Sequence, residues 1–316
     1  MYERLVQKAL EAYGLQCNRV FKVQKGYRNE IYPIQLVDGS MVQLTFYKSE
    51  EGIKERIERA DSVSAYAHCK GLPTRTRADS RTLVFTSSNR NVYVGLYHYL
   101  PGETIAWEAY TKDYIKQLGK VMSDLHFTLK DFPVTDHSVI TEMMALNERM
   151  GRYFADVNVT RALQEKCNLQ ITSRFRYYET SFKKLATLPS SQLHMDFVRG
   201  NVLFKETQIS GILDFEKTAS GHVLFDVART LAFLLIDCKY KTEDQIRKYF
   251  LESGYRKRGL NALDYYPRAL EVLIEFYLLH DFYKFLRHNP YESLYKNEHF
   301  TRTVAILTRK GVLHYG

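Results

Sequence analysis

Apolar and polar residues follow two different periods along this chain, and the change of period falls near residue 100. Short alternating runs before that point predict strands, with Asp38-Gly39 as a hairpin turn. The predicted strands are Val20–Val23, Ile31–Val37, Met41–Tyr47, Thr82–Phe85 and Asn91–Tyr99. Helical spacing predicts helices over Glu3–Tyr13 and Ile53–Cys69 in the same part of the chain. The pattern therefore predicts a small sheet accompanied by one main helix.

Helical spacing dominates after residue 100. The predicted helices are Lys112–Leu129, Val139–Phe154, Val159–Leu185, Asp226–Ile236, Thr242–Glu252 and Leu263–Arg287. Two short apolar runs interrupt them, Val202–Lys205 and Ile209–Leu213, and the polar link Glu206–Thr207–Gln208 predicts a hairpin between these runs. The chain thus reads as strands followed by helices, with one further hairpin inside the helical part.

The hairpin is flanked by side chains that bear oxygen. Pairing the two runs about their link places Asn201 opposite Asp214 at the open end, and Asp196 lies on the loop that leads into the hairpin. Carboxylate and amide oxygens suit Mg²⁺, which takes one or two carboxylates together with substrate phosphates and water. The sequence predicts that these three side chains converge on a magnesium site.

The spacing of these residues is that of phosphoryl transfer. His194, Asp196 and Asn201 match the kinase catalytic loop, H-R-D-L-x-x-x-N, and Asp214-Phe215-Glu216 stands where D-F-G follows it. Asp and Asn are also common turn residues. A turn is therefore the alternative explanation for the catalytic-loop match alone or for the Asp214-Phe215-Glu216 match alone. Both elements at the proper separation favour phosphoryl transfer.

These motifs resemble the aminoglycoside phosphotransferase and choline-kinase-like family. Two further stretches carry the likeness, the loop from Gly26 to Tyr32 and the Asp-Val-Ala of Asp226–Ala228. The resemblance implies a two-lobed, protein-kinase-like α+β fold. Residues 1–100 would form a nucleotide-binding N-lobe with a small antiparallel sheet, and residues 101–316 a helical C-lobe with the catalytic loop and acceptor site. It also implies transfer of the γ-phosphate of ATP to a hydroxyl.

The resemblance assigns expected roles to individual residues. Asp196 is expected to be the catalytic base, and His194, also of the catalytic loop, is expected to hold that loop by hydrogen bonds. Asn201 and Asp214 are expected to bind Mg²⁺. The expected nucleotide-binding residues are Gly26, Tyr27, Asn29, Lys48, Tyr97 and Tyr99, the two last at the hinge between lobes.

Some positions depart from the family pattern or have two interpretations. Thr45 stands where relatives carry a phosphate-binding Lys or Arg on the third strand. The acidic residue on the next helix that pairs with this Lys or Arg corresponds to Asp61 or Glu58. Lys48 either reaches in from the strand end or lies on the surface. Glu216 is either an extra metal ligand or exposed to solvent. Asp226 is either a helix N-cap, from its position, or a brace for the catalytic loop, from the resemblance.

His126 is predicted to be a packing residue, because a single histidine on a helix is more often that than a catalyst. Acceptor-site candidates among the later helices are Tyr265, Tyr266, Tyr277, His280, Asp281 and Tyr283. Core packing explains most of these six equally well.

Composition restricts the partners and the cellular location that we expect for this protein. The formal net charge of +9 favours anionic partners such as nucleotides, but no Lys/Arg block is long enough to indicate nucleic-acid binding. Four distant cysteines, an N-terminus without an apolar signal core and no membrane-spanning pattern predict a cytoplasmic protein. We therefore expect a kinase for a small-molecule alcohol. A Ser/Thr protein kinase and a non-catalytic nucleotide-binding pseudokinase are the alternatives, and the oligomeric state stays open.

Overall fold

The computed structural model describes residues 3–26, 29–87, 90–258 and 266–316. The chain divides into two compact units. Unit 1 comprises Met1–Glu103 and Asn201–Lys217, and unit 2 comprises Thr104–Gly200 and Thr218–Gly316. The hairpin predicted within the helical half therefore belongs to the unit that the N-terminal residues form.

Unit 1 is built on an antiparallel sheet whose order is β1-β3-β4-β6-β5, with the short β2 paired to β3. The strands are β1 (Cys17–Val20), β2 (Gln24–Lys25), β3 (Asn29–Leu36), β4 (Met41–Tyr47), β5 (Arg77–Ser87) and β6 (Arg90–His98). The helices are α1 (Glu3–Tyr13) and α2 (Ile53–Cys69). Both helices and β4 have the predicted bounds. The strand predicted over Val20–Val23 is displaced toward the N-terminus as β1.

The central strand β4 is buried on both faces, because each face packs against a different helix. Successive side chains of a strand point to opposite faces. Leu44 and Phe46 belong to the core cluster that also contains residues of α1. Tyr47 belongs to a second cluster, with Ile53 and Ile57 of α2 and with Tyr97. Thr45 therefore lies on the α2 face, the same face as Tyr47.

The hairpin of unit 1, called the site hairpin here, pairs Val202–Lys205 with Gln208–Ile212. Its register differs from the prediction by one residue. The turn uses two residues rather than three, and a bulge between Ile209 and Gly211 inserts one more. The Leu213 N–H donates to the Asn201 carbonyl at 2.8 Å, so Leu213 rather than Asp214 lies opposite Asn201.

Both edges of the site hairpin are bonded to other segments of unit 1. Phe204 and Glu103 exchange backbone hydrogen bonds of 2.8 and 2.9 Å on one edge. On the other edge the Ile212 N–H donates to the Pro73 carbonyl at 2.7 Å. These bonds explain why the hairpin groups with the N-terminal unit.

Unit 2 consists mainly of helices. They are α3 (Lys112–Leu129), α4 (Val139–Ala155), α5 (Val157–Cys167), α6 (Phe175–Leu185), α7 (Leu224–Asp237), α8 (Glu243–Arg247), α9 (Pro267–His288) and α10 (Glu298–Arg309). A π-helical turn, Lys248–Glu252, continues α8. Two small antiparallel ladders join Ser191–Leu193 to Ala219–Gly221 and Leu169–Ile171 to Leu313–Tyr315.

The prediction of one helix over Val159–Leu185 is wrong. Asn168 ends α5 with φ of 53°, a left-handed conformation that stops a helix. The next residues pair as a strand with the C-terminal Leu313–Tyr315, a partner more than a hundred residues away in sequence. The apolar spacing of α5 and α6 is helical, but it does not reveal this break. Within the described residues, no helix is long and apolar enough to cross a membrane.

Candidate active site

The loop after strand Ser191–Leu193 is held by one buried carboxylate. Asp226 on α7 is 1% exposed. Its Oδ2 accepts a hydrogen bond from the His194 N–H at 2.8 Å, and its Oδ1 accepts from the Met195 N–H at 2.6 Å. Asp226 therefore fixes the backbone just before Asp196, as the resemblance implies. It is not an N-cap, since α7 begins two residues earlier at Leu224.

His126 on α3 completes this support. Its Nε2 lies 3.1 Å from Asp226 Oδ2, and its Nδ1 lies 2.6 Å from the Tyr255 hydroxyl. Because a carboxylate only accepts, Nε2 carries the proton and Nδ1 accepts from the tyrosine. Burial opposes ionisation of Asp226, but the hydrogen bonds from His126 and from the His194 N–H lower the pKa of Asp226 below the usual value. The prediction that His126 is a satisfied packing residue is confirmed.

Asp196 forms a buried ion pair. Its Oδ1 accepts from Nη2 of Arg229 at 2.9 Å, and the two side chains are only 10% and 11% exposed. The Asp196 N–H donates to Nδ1 of His194 at 3.1 Å, so His194 supports the loop through a hydrogen bond. Arg229 keeps one buried donor, Nε, without a partner among the described residues.

The backbone is strained beside each of the two principal carboxylates. Met195, immediately before Asp196, has φ of 60°, and Asp214 has φ of 57°. Left-handed conformations are uncommon outside glycine and cluster at functional sites, where surrounding bonds enforce them. The two bonds from Asp226 supply such enforcement next to Met195.

Asn201 and Asp214 flank the open end of the site hairpin and are both half-buried. Glu216, two residues further, is 5% exposed, so the alternative of a solvent-exposed Glu216 is wrong. It accepts a hydrogen bond of 2.5 Å from Nδ2 of Asn29, the first residue of β3. Burial and the nearby Asp214 carboxylate raise the pKa of Glu216 to about 7. Unit 1 therefore concentrates acidic groups at this place.

The other predicted nucleotide-binding residues have different surroundings. Gly26 donates its N–H to the Asn29 carbonyl at 2.9 Å, so it turns the chain between β2 and β3. Tyr27 lies outside the described residues. Lys48 is exposed just after β4. Tyr99 is half-buried, and its N–H donates to the Met41 carbonyl at 3.4 Å.

Tyr97 is fully buried and participates in a polar cluster on the α2 face of the sheet. Its hydroxyl lies 2.6 Å from that of Tyr47 and donates to Asp61 Oδ2 at 3.3 Å. Nε of Arg77 donates to the same carboxylate oxygen at 2.6 Å. Of the two acidic candidates on α2, Asp61 is the one that faces this cluster. Glu58 is 63% exposed beside Lys54.

Three arginines near these carboxylates were missed by the sequence reasoning. They are Arg75, Arg77 and Arg229. Arg77 and Arg229 each pair with an aspartate far away in sequence, so no local motif marks them. Arg229 follows Asp226 by three residues, and helical spacing places both on one side of α7, which is the single signal the sequence offers.

The acceptor candidates on α9 have different environments. Tyr277 is 4% exposed and lies beside Arg229, whose guanidinium carbon is 5.8 Å from the ring centroid. Asp281 is paired with His299 at 2.6 Å. Tyr283 stacks with His280 and lies edge-on to Tyr153. Tyr266 lies edge-on to His222. Tyr265 lies outside the described residues.

The donor set in unit 1 fits a hard divalent cation. Asn201 and Asp214 offer amide and carboxylate oxygens, the ligand types that Mg²⁺ prefers. Among the described residues no group of three or more His, Cys, Asp and Glu side chains could hold a metal. A cation here would therefore require further oxygens from phosphate and water.

Comparison with known proteins identifies the family of this chain. The profile of the phosphotransferase enzyme family matches residues 22–257. Hydroxylysine kinase from Mus musculus is 24% identical over 211 residues, covering 58% of this chain and 54% of that protein. Homoserine kinase from Pseudomonas aeruginosa is 31% identical over 87 residues, 27% of this chain and 28% of that protein. The chain thus spans only about a quarter to a half of the length of these two relatives.

Solved structures resemble the whole chain. Amicoumacin kinase, solved with AMP-PNP and Ca²⁺, superposes with a TM-score of 0.70 at 17% identity, over 98% of this chain and 92% of that one. A microcompartment-associated aminopropanol kinase superposes with a TM-score of 0.69 at 16% identity, over 97% of this chain and 99% of that one. At these identities the likeness shows the fold, and the predicted protein-kinase-like α+β architecture is confirmed.

Proposed function

Since the chain belongs to the phosphotransferase enzyme family, we propose that it transfers the γ-phosphate of ATP to a hydroxyl group of a small molecule. The observation that carries the proposal is the loop of Asp196, with its backbone fixed by Asp226 and its carboxylate oriented by Arg229. A protein that only bound nucleotide would not need a braced carboxylate at this position. This favours an enzyme over a pseudokinase.

In this proposal Asp196 receives the proton of the acceptor hydroxyl. Arg229 keeps the carboxylate in one orientation, because the ion pair is buried and the guanidinium donates directly to Oδ1. His194 and Asp226 hold the backbone on either side of Met195. Phosphoryl transfer depends mostly on positioning and charge neutralisation, so a rigid base is the main contribution of this unit.

Asn201 and Asp214 are proposed to hold Mg²⁺. The ion, when bound, would neutralise negative charge on the transferred phosphoryl group. Asp214 contributes full negative charge, whereas the amide of Asn201 contributes a dipole. Glu216, buried and bonded to Asn29, adds a second carboxylate in the same region of unit 1.

The acceptor is proposed to be an amino alcohol. Three of the relatives are named for kinases of hydroxylysine, homoserine and aminopropanol, and each of these compounds carries both an amine and a hydroxyl. Asp196 would receive the hydroxyl proton. A protein serine or threonine is the alternative acceptor of the same chemistry, without a specific observation in its favour.

The test is divalent-dependent ADP formation from ATP with a panel of amino alcohols, simple alcohols and a Ser/Thr peptide. We expect turnover with an amino alcohol and Mg²⁺, and none with EDTA.

Asp214→Ala is expected to abolish Mg²⁺-dependent ATP binding in calorimetry while the thermal transition persists. Equal Mg·ATP affinity in this variant and the wild type would remove Asp214 from the metal site, and ATP binding without turnover on any acceptor would favour the pseudokinase.

A further inference from the structure

Protein kinases hold the nucleotide phosphates with a lysine on the third strand of the small sheet, and the resemblance assigns that position to Thr45. Thr45 occupies that position on β4, is fully buried, and its Oγ1 has no hydrogen-bond partner among the described residues. Lys48, the nearest lysine in sequence, is exposed beyond the end of the strand. A nucleotide bound at this face would therefore need its positive charge from another element.

Arg75 supplies a cation at this face. It is 8% exposed and lies between α2 and β5. Its guanidinium carbon is 3.9 Å from the centroid of the Tyr97 ring, and Nη2 donates to the Tyr47 hydroxyl at 3.2 Å. Tyr47 and Thr45 are on the same side of β4, because they are two residues apart. The guanidinium therefore reaches the side of the sheet where the lysine is missing.

Arg75 forms no ion pair among the described residues, although the Asp61 and Glu216 carboxylates lie near enough to act on its charge and raise its pKa. Asp61 is bonded to Arg77, and Glu216 is bonded to Asn29. A guanidinium carries five donors, and one of those of Arg75 is used, toward a neutral hydroxyl. Burying a cation without an anion is costly, so most buried charges are paired. The buried guanidinium of Arg75 forms no ion pair and uses one donor, so it can bind an anionic ligand.

The backbone of Arg75 is fixed, so its guanidinium is preorganised. The Arg75 N–H donates to the Ile212 carbonyl of the site hairpin at 3.3 Å. Its own carbonyl accepts from the Ser64 hydroxyl of α2 at 2.5 Å. Gly95 on β6 leaves room for the Tyr97 ring, since a Cβ there would lie 2.6 Å from a ring carbon. Arg75 is thus tied to the hairpin whose open end carries Asp214.

We propose that Arg75 binds the phosphates of the nucleotide, in place of the strand lysine that Thr45 replaces. The ligand chemistry is a nucleoside di- or triphosphate, because a guanidinium presents several donors to phosphate oxygens at once. The inference rests on the proposed function and deepens it, since it names the group that holds the phosphates in unit 1.

The test compares ligands with and without phosphate. Dissociation constants for Mg·ATP and for adenosine are measured by calorimetry in wild type, Arg75→Met and the double variant Arg75→Met/Thr45→Lys. Arg75→Met should weaken Mg·ATP binding about 10- to 100-fold, the worth of a charge-assisted hydrogen bond, and leave adenosine binding unchanged. Thr45→Lys should restore most of the loss, because it returns the charge to the same face.

The matched control is Arg77→Met, which removes an arginine of the same face whose charge is already paired with Asp61. It should leave the ratio of adenosine to Mg·ATP dissociation constants unchanged. If Arg75→Met does not fold, the same dissociation constants are measured for Arg75→Lys. Lysine cannot reproduce the guanidinium fork, so the ratio should fall several-fold with adenosine binding intact.

Three results would overturn the proposal. They are an unchanged ratio in the Arg75 variants, an equal loss of adenosine and Mg·ATP binding, and a loss caused by Arg77→Met instead. An equal loss would show that Arg75 only maintains the fold of the sheet face. If the wild type binds Mg·ATP and phosphorylates an acceptor, but the Arg75 variants bind Mg·ATP equally well, this inference is wrong and the proposed function is unaffected. Failure of the wild type to bind Mg·ATP would overturn both.

Discussion

The polar groups around Asp196 in unit 2 and those around Asp214 in unit 1 are organised differently. In unit 2 each carboxylate has a defined partner, Arg229 for Asp196 and two backbone N–H groups with His126 for Asp226. Among the described residues of unit 1, the guanidinium of Arg75 on the α2 face forms no ion pair, and the hydroxyl of Thr45 has no hydrogen-bond partner. Beside it, Asn29 Oδ1 is also buried without a partner among the described residues.

Under the proposed function, this difference separates residues that position the base from residues that bind the nucleotide and the metal. A base must be held in one geometry before the substrate arrives, so its bonds are internal to the protein. A surface that binds phosphate and metal leaves charge uncompensated until those ligands supply it. Substitutions in unit 2 should therefore affect turnover or stability, and substitutions on the unit 1 face should affect nucleotide affinity.

The largest expected effect is that of Asp196→Asn. Turnover should fall by a factor on the order of 10²–10⁴, the worth of a positioned acid–base group, while ATP affinity stays nearly constant. The reason is that Asp196 is proposed to act on the acceptor and not on the nucleotide. The measurement is steady-state ADP release together with ATP calorimetry. Loss of ATP binding, with the rate per bound nucleotide retained, would make Asp196 a metal ligand and reverse the comparison.

Asp226→Asn should destabilise the protein by about 3 kcal/mol, because it removes a buried charge that accepts three hydrogen bonds. The folded pKa of Asp226 is depressed, so its contribution is present above pH of about 4 and is lost as pH falls through the folded pKa. Urea unfolding at pH 7 and at acidic pH measures both effects. Asp131→Asn, at an exposed aspartate, is the control and should change stability by less than about 0.5 kcal/mol. Equal stability of both variants would show that Asp226 does not brace the loop.

The smallest effect is expected for Thr45→Val, which removes the unpaired buried hydroxyl and keeps the shape of the side chain. Stability should rise by about 1 kcal/mol, since an unsatisfied polar group no longer has to be desolvated. Thermal unfolding without ligand measures the change, with ATP affinity nearly unchanged. A destabilised Thr45→Val would mean that the hydroxyl has a partner, and the contrast between the two units would weaken.

Local pattern was sufficient for most elements of the fold. The bounds of α1, α2, α3 and β4 follow from spacing alone, because each has a regular apolar face and a nearby stop. The failed segment, Val159–Leu185, is divided by a left-handed residue and a strand whose partner is the C-terminus. The site hairpin was predicted, but its two-residue turn shifts the pairing by two residues from the prediction, and a bulge reduces the difference to one. Bulges and distant strand partners depend on tertiary packing.

The sequence by itself determined the kinase-like spacing of His194, Asp196, Asn201 and Asp214, and the threonine at the position that the resemblance gives to a lysine. Only the tertiary structure decided how these groups are compensated. It paired Asp196 with Arg229, bonded Glu216 to Asn29, and left Arg75 on the α2 face with a neutral hydroxyl. The physical reason is that a motif lies within a few consecutive residues, whereas the partners of a buried charge come from wherever the packed chain brings them.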